Sequence, residues 1–552
     1  MPPIDGNTLI ARSLKQQGVE KMFGIVGFPV FGIAGAAQAE GIQFIAMRNE
    51  QAASYAAGAV GFLTGRPAAC LTVSGPGMIH GIAGLSNAQE NCWPMILLGG
   101  SSNSYQEGRG AFQEAPQVEL ARIYSKYAAR PDATSRIPFY VEQAVRTSIS
   151  GRPGAVYLDF PDNMLSSQVD EEEVSFPDRC PDPSRSQAAP ADVQRAIDVL
   201  HKAERPLVII GKGAAYSRAE AEVRQFIEAT QIPFLSSPMG KGVVDDEHAL
   251  SVAPARGLAL EKADVVVLLG ARLNWIMHFG LPPRFDANVK TIQIDIQAEE
   301  IGRNVAAEVG LVGDLKAIVG QLNEALADKP FTFAADAPWR GTLAEKVNEN
   351  KTFVQNMMND DAVPMGYYRV LREIRDQAPS GTIIQAEGAN TMDISRSVLM
   401  HSEPRERLDA ATFGTMGVGL GQAIAAQVTH PDRKVICIEG DSAFGFSGME
   451  VETACRYKLP IVFVIVNNNG IGMGFDELPD DRFTSPASAY TIQAGYQKGI
   501  EGFGGKGYLV RTPDEFSAAL KQALEDDMPS VINVLIDPHA RAKPQKHPWL
   551  TQ

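Results

Sequence analysis

Short apolar runs punctuate the chain at intervals, separated by longer stretches with helix-like spacing. The first third carries "KMFGIVG", "QFIAM", "AACLTVSG" and "PMILLGG"; the middle carries "RPLVIIGKG", "ADVVVLLGA" and "KTIQIDI". In the last third stand "TIIQAEGAN", "KVICIEGDS", "IVFVIVNNN" and "SVINVLIDP". Continuous apolar runs of this length predict strands covered on both faces, and their alternation with helical segments predicts parallel α/β sheets.

Residues 165–190 and 327–340 break the rhythm with prolines, serines and charge, so both read as linkers. The acidic run Asp170 to Glu173 within the first reads as a solvated face. Three doubly wound α/β domains follow, at residues 1–170, 190–330 and 360–552. No fixed-period repeat or low-complexity tract is visible.

Composition narrows the partners. Lys+Arg 50 against Asp+Glu 65 gives a net charge of -15, which disfavours nucleic acid or an anionic membrane as the main partner. An anionic small molecule would need local groups that override this field. Five scattered cysteines without CxxC spacing argue against a disulfide framework or a zinc site and for a reducing compartment. No apolar run reaches the ~20 residues of a membrane span, and neither a signal-peptide core nor a peroxisomal tripeptide stands at the ends. The expected location is cytoplasmic.

The chemistry concentrates where two late runs end. Asp441 follows "VICIEG" and Asn468 follows "IVFVIV", so both stand at strand exits, where ligands of parallel sheets collect. A carboxylate, an amide oxygen and the carbonyl of Gly470 form a hard oxygen set suited to Mg²⁺. Magnesium held by so few protein groups takes further ligands from phosphates, and the "GDSAFG" helix start offers backbone N–H groups to a diphosphate. The bland reading of Asp441 as a helix N-cap competes with this until "NNNG" is counted.

"GDS" followed by "NN" at this spacing resembles the diphosphate motif of thiamine diphosphate enzymes. "TFGTMGVGLGQAIAA" is similar to the pyrimidine-side segment of their acetohydroxyacid-synthase branch, which "RNEQAASYAAGAVGFLTGRP" and "TVSGPGMIHGIAGLSNA" also track. Within that branch, "AEGANTMDISRSVL", "GARLNWIMHFGLPPRF" and "GDSAFGFSGMEVETACRYKLPI" resemble 2-hydroxyacyl-CoA lyases and oxalyl-CoA decarboxylases. The resemblance covers essentially the whole chain. It implies a pyrimidine-binding first domain, a Rossmann-like middle domain and a diphosphate-binding third domain with a C-terminal lid.

The resemblance also assigns residues. Glu50 matches the glutamate that hydrogen-bonds the cofactor's aminopyrimidine and so activates the thiazolium carbon. Met416 matches the wedge that bends the cofactor, with Gly414 and Thr415 as backbone contacts. Tyr367, Asn390, Thr391 and Met392 fall at further cofactor positions. Ser442 and Ala443 would line the diphosphate beside the metal set Asp441, Asn468 and Gly470. Phe28, His80, Phe112, Gln113 and Glu114 belong to substrate-facing loops, and His80 could orient a leaving aldehyde or shuttle a proton. For coenzyme A, Phe28, Asn350, Arg396, Ser397 and Arg541 are the matching positions. The locally basic tail from His539 onward would act as a lid. Arg152, Lys212, Arg272 and Asp295 match an ADP site, though as ordinary strand-end polar groups they read equally well.

With Glu50 in the first domain and the metal set in the third, the family joins them across subunits, which implies a homodimer or homotetramer. Both candidate reactions yield formyl-CoA: a lyase expels an aldehyde or ketone, a decarboxylase expels CO₂. The decarboxylases carry a tyrosine where Phe112 stands and a Ser-Gly-Arg run in the tail, which this chain lacks, so the lyase is expected. Oxalyl-CoA decarboxylase is the alternative, and a flavin-containing acetohydroxyacid synthase or a non-catalytic nucleotide-binding scaffold is more distant. One departure stands out: Gly472 occupies a position that is usually aromatic after "NNNGI".

Overall fold

The computed structural model describes residues 3–543, and in it the apolar runs become three parallel sheets. The first sheet has the order Gln43–Ala46, Lys21–Gly24, Ala68–Thr72, Met95–Ser101, Ala155–Pro161, Tyr127–Ala129. The second runs Phe234–Ser236, Pro206–Ile210, Val265–Leu269, Lys290–Asp295, Val309–Val312. The third runs Arg407–Asp409, Ile383–Glu387, Val435–Gly440, Ile461–Asn467, Ser530–Leu535, Lys506–Val510. Helices cover both faces of each sheet, so central strands such as Ile461–Asn467 are buried throughout.

In the third sheet the chain leaves Ile383–Glu387 towards one edge and resumes at Val435–Gly440 on its other side. The strand order therefore reverses between those two strands, and a crevice forms at their carboxyl ends. Strand register brings Gly440 opposite Val466, so Asp441 and Asn468 leave the sheet side by side.

Three helices lock the first domain to the third. Glu50–Thr64 is buried from Ala52 to Leu63, which the run of Ala and Gly permits. Close approach requires the glycines: a Cβ on Gly84 would lie 2.0 Å from Ser54 Oγ, and one on Gly421 would lie 2.5 Å from the Ala52 carbonyl oxygen. The first approach draws Pro76–Asn91 against Glu50–Thr64 within the first domain, and the second draws Gly419–Thr429 of the third domain against that same helix.

The structure corrects two expectations about the linker. Gln168–Asp170 is a strand, paired antiparallel with Pro3–Asp5, so the segment ties the N-terminus back onto the first domain. Glu171 lies 2.5 Å from Arg12 Nη1, so the acidic run is not simply a solvated face. Alternating residues Ile4 and Val169 pack against the first domain's core, and this apolar register selects the strand over a free linker. Among the described residues no helix is long and apolar enough to cross a membrane.

Candidate active site

The two strand exits meet through Asp441. Its Oδ1 accepts the backbone N–H of Ser442 at 3.0 Å, and the nearby Asn469 and Gly470 amides favour its ionised form. Asp441 is 2% exposed, and burial pushes its pKa up to about 6. Oδ2 of Asp441 is buried without a hydrogen-bond partner. An unpartnered buried carboxylate oxygen is costly unless a cation or donor completes it. Asn468, 3% exposed, turns Oδ1 towards the Gly470 N–H at 3.2 Å, which tightens the loop around the same point. Among the described residues no group of three His, Cys, Asp or Glu side chains could hold a metal. The available donor set is this single carboxylate with amide and carbonyl oxygens, which fits a hard cation that also binds phosphate.

The neighbouring strand exit adds the other predicted cofactor residues. Asn390 Nδ2 donates to the Gly472 carbonyl at 2.9 Å and also hydrogen-bonds Tyr367. Burial pushes the Tyr367 hydroxyl up to about 12. Thr391 is buried and Met392 half-buried at the start of helix Ala389–Val398. Ser442 Oγ lies 3.2 Å from the Tyr490 hydroxyl, and Ala443 is fully buried beneath it. Gly414, Thr415 and half-buried Met416 form the turn before helix Gly419–Thr429. Gly414 has φ +67°, and Thr415 Oγ1 accepts from Asn87 of the first domain at 2.8 Å. Glu387 accepts the N–H groups of Gly417 and Gly419 from below, and burial pushes it up to about 7.

Glu50 opens its helix, with Asn49 as N-cap. Its side chain is 14% exposed, and Oε2 meets His80 Nδ1 at 3.2 Å. His80 itself is 57% exposed. Phe112 packs edge-on against Phe28 with ring centroids 6.0 Å apart, and both rings are exposed. Gln113 takes a left-handed conformation and accepts from Ser74, while Glu114 accepts three backbone N–H groups and is held below the usual carboxylate range. Among the described residues no hydrogen bond or ion pair connects Glu50 or His80 with Met416, Asp441 or Asn468. Exposed apolar side chains flank these elements: Phe31, Ile79, Phe112, Phe446 and Met449.

The predicted coenzyme A positions are spread wider. Arg396 is committed to ion pairs with Asp393 and the buried Asp409, which leaves less of it for a ligand than its sequence position suggests. Ser397 donates to the Ile394 carbonyl. Asn350 receives Lys543 Nζ at 2.8 Å, and Arg541 reaches the Met473 sulfur, so the chain up to 543 runs over these residues. The remainder of the predicted lid, residues 544–552, lies outside the described residues.

In the middle domain Lys212 and Arg272 line one cavity at the strand ends, and Arg272 and Asp295 line an adjoining one. Arg152 bridges Asp295 and Glu300, both at 3.0 Å. Desolvation lowers the Lys212 ammonium to about 7, and its Nζ donates to Asn91 Oδ1 at 3.4 Å. Sequence reasoning passed over Glu387, Asn87 and Glu450, whose partners are backbone groups or distant segments.

The N-terminal, central and C-terminal domains of thiamine pyrophosphate enzymes match residues 4–120, 193–322 and 387–534. The chain belongs to the thiamine pyrophosphate enzyme family, on its lyase branch. It is 51% identical to 2-hydroxyacyl-CoA lyase 1 of Mus musculus, over 100% of this chain and 97% of that protein. Identity is 46% to the 2-hydroxyacyl-CoA lyase of Arabidopsis thaliana, covering 98% of this chain and 97% of the relative. Oxalyl-CoA decarboxylase of Escherichia coli (strain K12) is 43% identical over 97% and 95% of the two chains.

Proposed function

We propose that the protein is a 2-hydroxyacyl-CoA lyase that reversibly cleaves the C1–C2 bond of a 2-hydroxyacyl-CoA into formyl-CoA and an aldehyde or ketone. The observation that carries this reading is the exposed Phe112–Phe28 pair, on a loop whose Gln113 abuts Gly75, two residues before the Gly77 that faces Glu50, in a family whose chemistry needs that glutamate. A carboxylate-bearing substrate such as oxalyl-CoA would want a hydroxyl or cation there; an aldehyde or ketone fragment suits two exposed rings.

In this reading Asp441, Asn468 and the Gly470 carbonyl hold Mg²⁺, and the N–H groups at Ser442 and Ala443 receive the diphosphate. Bound thiamine diphosphate supplies a nucleophilic carbon and an electron sink. Glu50 holds a proton against the aminopyrimidine, and His80, hydrogen-bonded to Glu50, passes protons to or from the leaving fragment. Met416, Gly414 and Thr415 support the ring, with Asn390, Thr391, Met392 and Tyr367 closing the crevice. Asn350, Arg396, Ser397 and Arg541 track the coenzyme A arm. Lys212, Arg272, Arg152 and Asp295 form a site for ADP, whose phosphates would restore charge to the desolvated lysine.

The domains then serve as pyrimidine (1–170), central (190–330) and diphosphate (360–552) units. Glu50 keeps its described contacts in the first domain, and Ile79, next to its partner His80 in the chain, is exposed. Both facts favour a homodimer, or a tetramer of two such dimers, in which Glu50 serves the partner's metal site. Purified protein with thiamine diphosphate and Mg²⁺ should release formyl-CoA from 2-hydroxyisobutyryl-CoA far faster than from oxalyl-CoA, read by chromatography and mass spectrometry. Faster release from oxalyl-CoA would replace this reading with the decarboxylase.

A further inference from the structure

Glu450 begins helix Glu450–Arg456 in the third domain and is fully buried. Its Oε1 accepts the backbone N–H of Arg48 at 3.0 Å, the Asn49 N–H also reaches the carboxylate, and Oε2 takes the Thr453 hydroxyl at 2.7 Å. Arg48 and Asn49 are the two residues immediately before Glu50. Two turns along the same segment, the Tyr457 hydroxyl accepts the Ala46 N–H at 2.8 Å. Amides at 46, 48 and 49 therefore end on side chains of another domain, although the last strand before Glu50 closes at Ala46.

Such an arrangement is expensive. Burial pushes Glu450 up to about 7, so the protein holds an acid where an apolar side chain would avoid the desolvation penalty. A leucine or methionine at this place could fill the volume but could not receive two amides. What the acid gains is directional: it fixes two consecutive peptide planes, and with them the direction in which the Glu50 side chain leaves the backbone.

We propose that Glu450 is a positioning residue for Glu50, setting the aim of the proton-carrying carboxylate through the Arg48 and Asn49 amides. The proposal rests on the role given to Glu50 above. Thr453 fixes the rotamer of Glu450, and Tyr457 steadies the strand end that leads into the loop.

A double-mutant cycle on the loaded full-length enzyme tests it. Glu450→Ala should lower kcat for 2-hydroxyisobutyryl-CoA by ~10–100-fold, the scale of an ångström-sized misplacement, while KM and the thiamine diphosphate Kd stay within about twofold. Glu450→Gln, which keeps an acceptor oxygen for both amides, should recover most of the loss. In a Glu50→Gln background, Glu450→Ala should cost less than about twofold more, because residues acting through one group are not additive. Where Glu450→Ala fails to fold, Thr453→Val carries the same cycle, since it removes the hydroxyl at Oε2 with little change in volume. An equal fold-loss in both backgrounds, or a loss of thermal stability with unchanged kcat, overturns the positioning role. Full activity in Glu50→Gln alone would instead remove the function assigned to Glu50, and the single variant reads this separately.

Discussion

Gly472 offers a direct handle on substrate size. Its φ is +71°, no atom lies within 4 Å of where a Cβ would sit, and its carbonyl receives Asn390 at 2.9 Å. Gly472→Tyr would therefore meet no wall but would force a left-handed conformation on a bulky residue, at about 1–2 kcal/mol of protein stability. On the proposed reading, the ring would take up space that the aldehyde-derived part of the substrate uses. Each methylene that loses its contact surface forfeits ~0.8 kcal/mol, about fourfold in kcat/KM, so three methylenes forfeit ~2.4 kcal/mol or roughly 60-fold. We expect short 2-hydroxyacyl-CoA substrates to keep kcat/KM within about twofold and those three carbons longer to fall by tens of fold. The assay is kcat/KM for formyl-CoA release across a homologous substrate series, with a thermal melt to register the backbone strain. An unchanged chain-length profile, or an equal loss at every length, refutes the reasoning.

Asp441→Asn should abolish the rise in Tm that thiamine diphosphate with Mg²⁺ gives the wild type, a rise equivalent to ~2.7 kcal/mol at a hundredfold excess over Kd. Mixing Asp441→Asn chains with Glu50→Gln chains under subunit exchange should restore activity absent from either alone, because each mixed dimer contains one site with both residues intact; no recovery would contradict the shared site. Lys212, lowered from its ordinary 10.5 to about 7, is a base whose folded state binds fewer protons than its unfolded state between those values, so it makes stability rise with pH across that window. Lys212→Met should flatten that rise in Tm, raise Tm at pH 7 and below without nucleotide, and eliminate any stabilisation by ADP. Gly421→Ala should destabilise by about 1–3 kcal/mol, seen as a lower denaturation midpoint, because the new methyl meets a main-chain carbonyl oxygen at 2.5 Å.

The sequence disclosed what a strand needs for itself and concealed what it needs from elsewhere. Each quoted apolar run contains a strand, because burial on both faces demands uninterrupted Val, Ile and Leu. Ala155–Pro161 escaped the pattern although all its residues are buried: Tyr157 and Asp159 interrupt the apolar run, and they are satisfied inside by Gln117, Ser101 and Arg130. The short edge strands Phe234–Ser236 and Arg407–Asp409 offered too few residues to show a period. Asp441 and Asn468 were legible because two strand exits on the same edge of a parallel sheet must face one crevice. Arg396 was legible as a cation but not as one already claimed by Asp409, thirteen positions away. Glu450 was invisible as a partner of the Glu50 loop, since backbone amides carry no signature in the residues that own them.

The hydrogen bond from the Arg48 amide to Glu450 spans 402 positions of chain. At about 5–20 residues per second of synthesis, the ribosome needs roughly 20–80 s to make that intervening length. Throughout that interval the nascent first domain carries its reactive acid without the brace that aims it. On the role proposed for Glu50, competence of the acid is thus deferred until the third domain is made, and a chain ending before Glu450 would carry that acid unaimed.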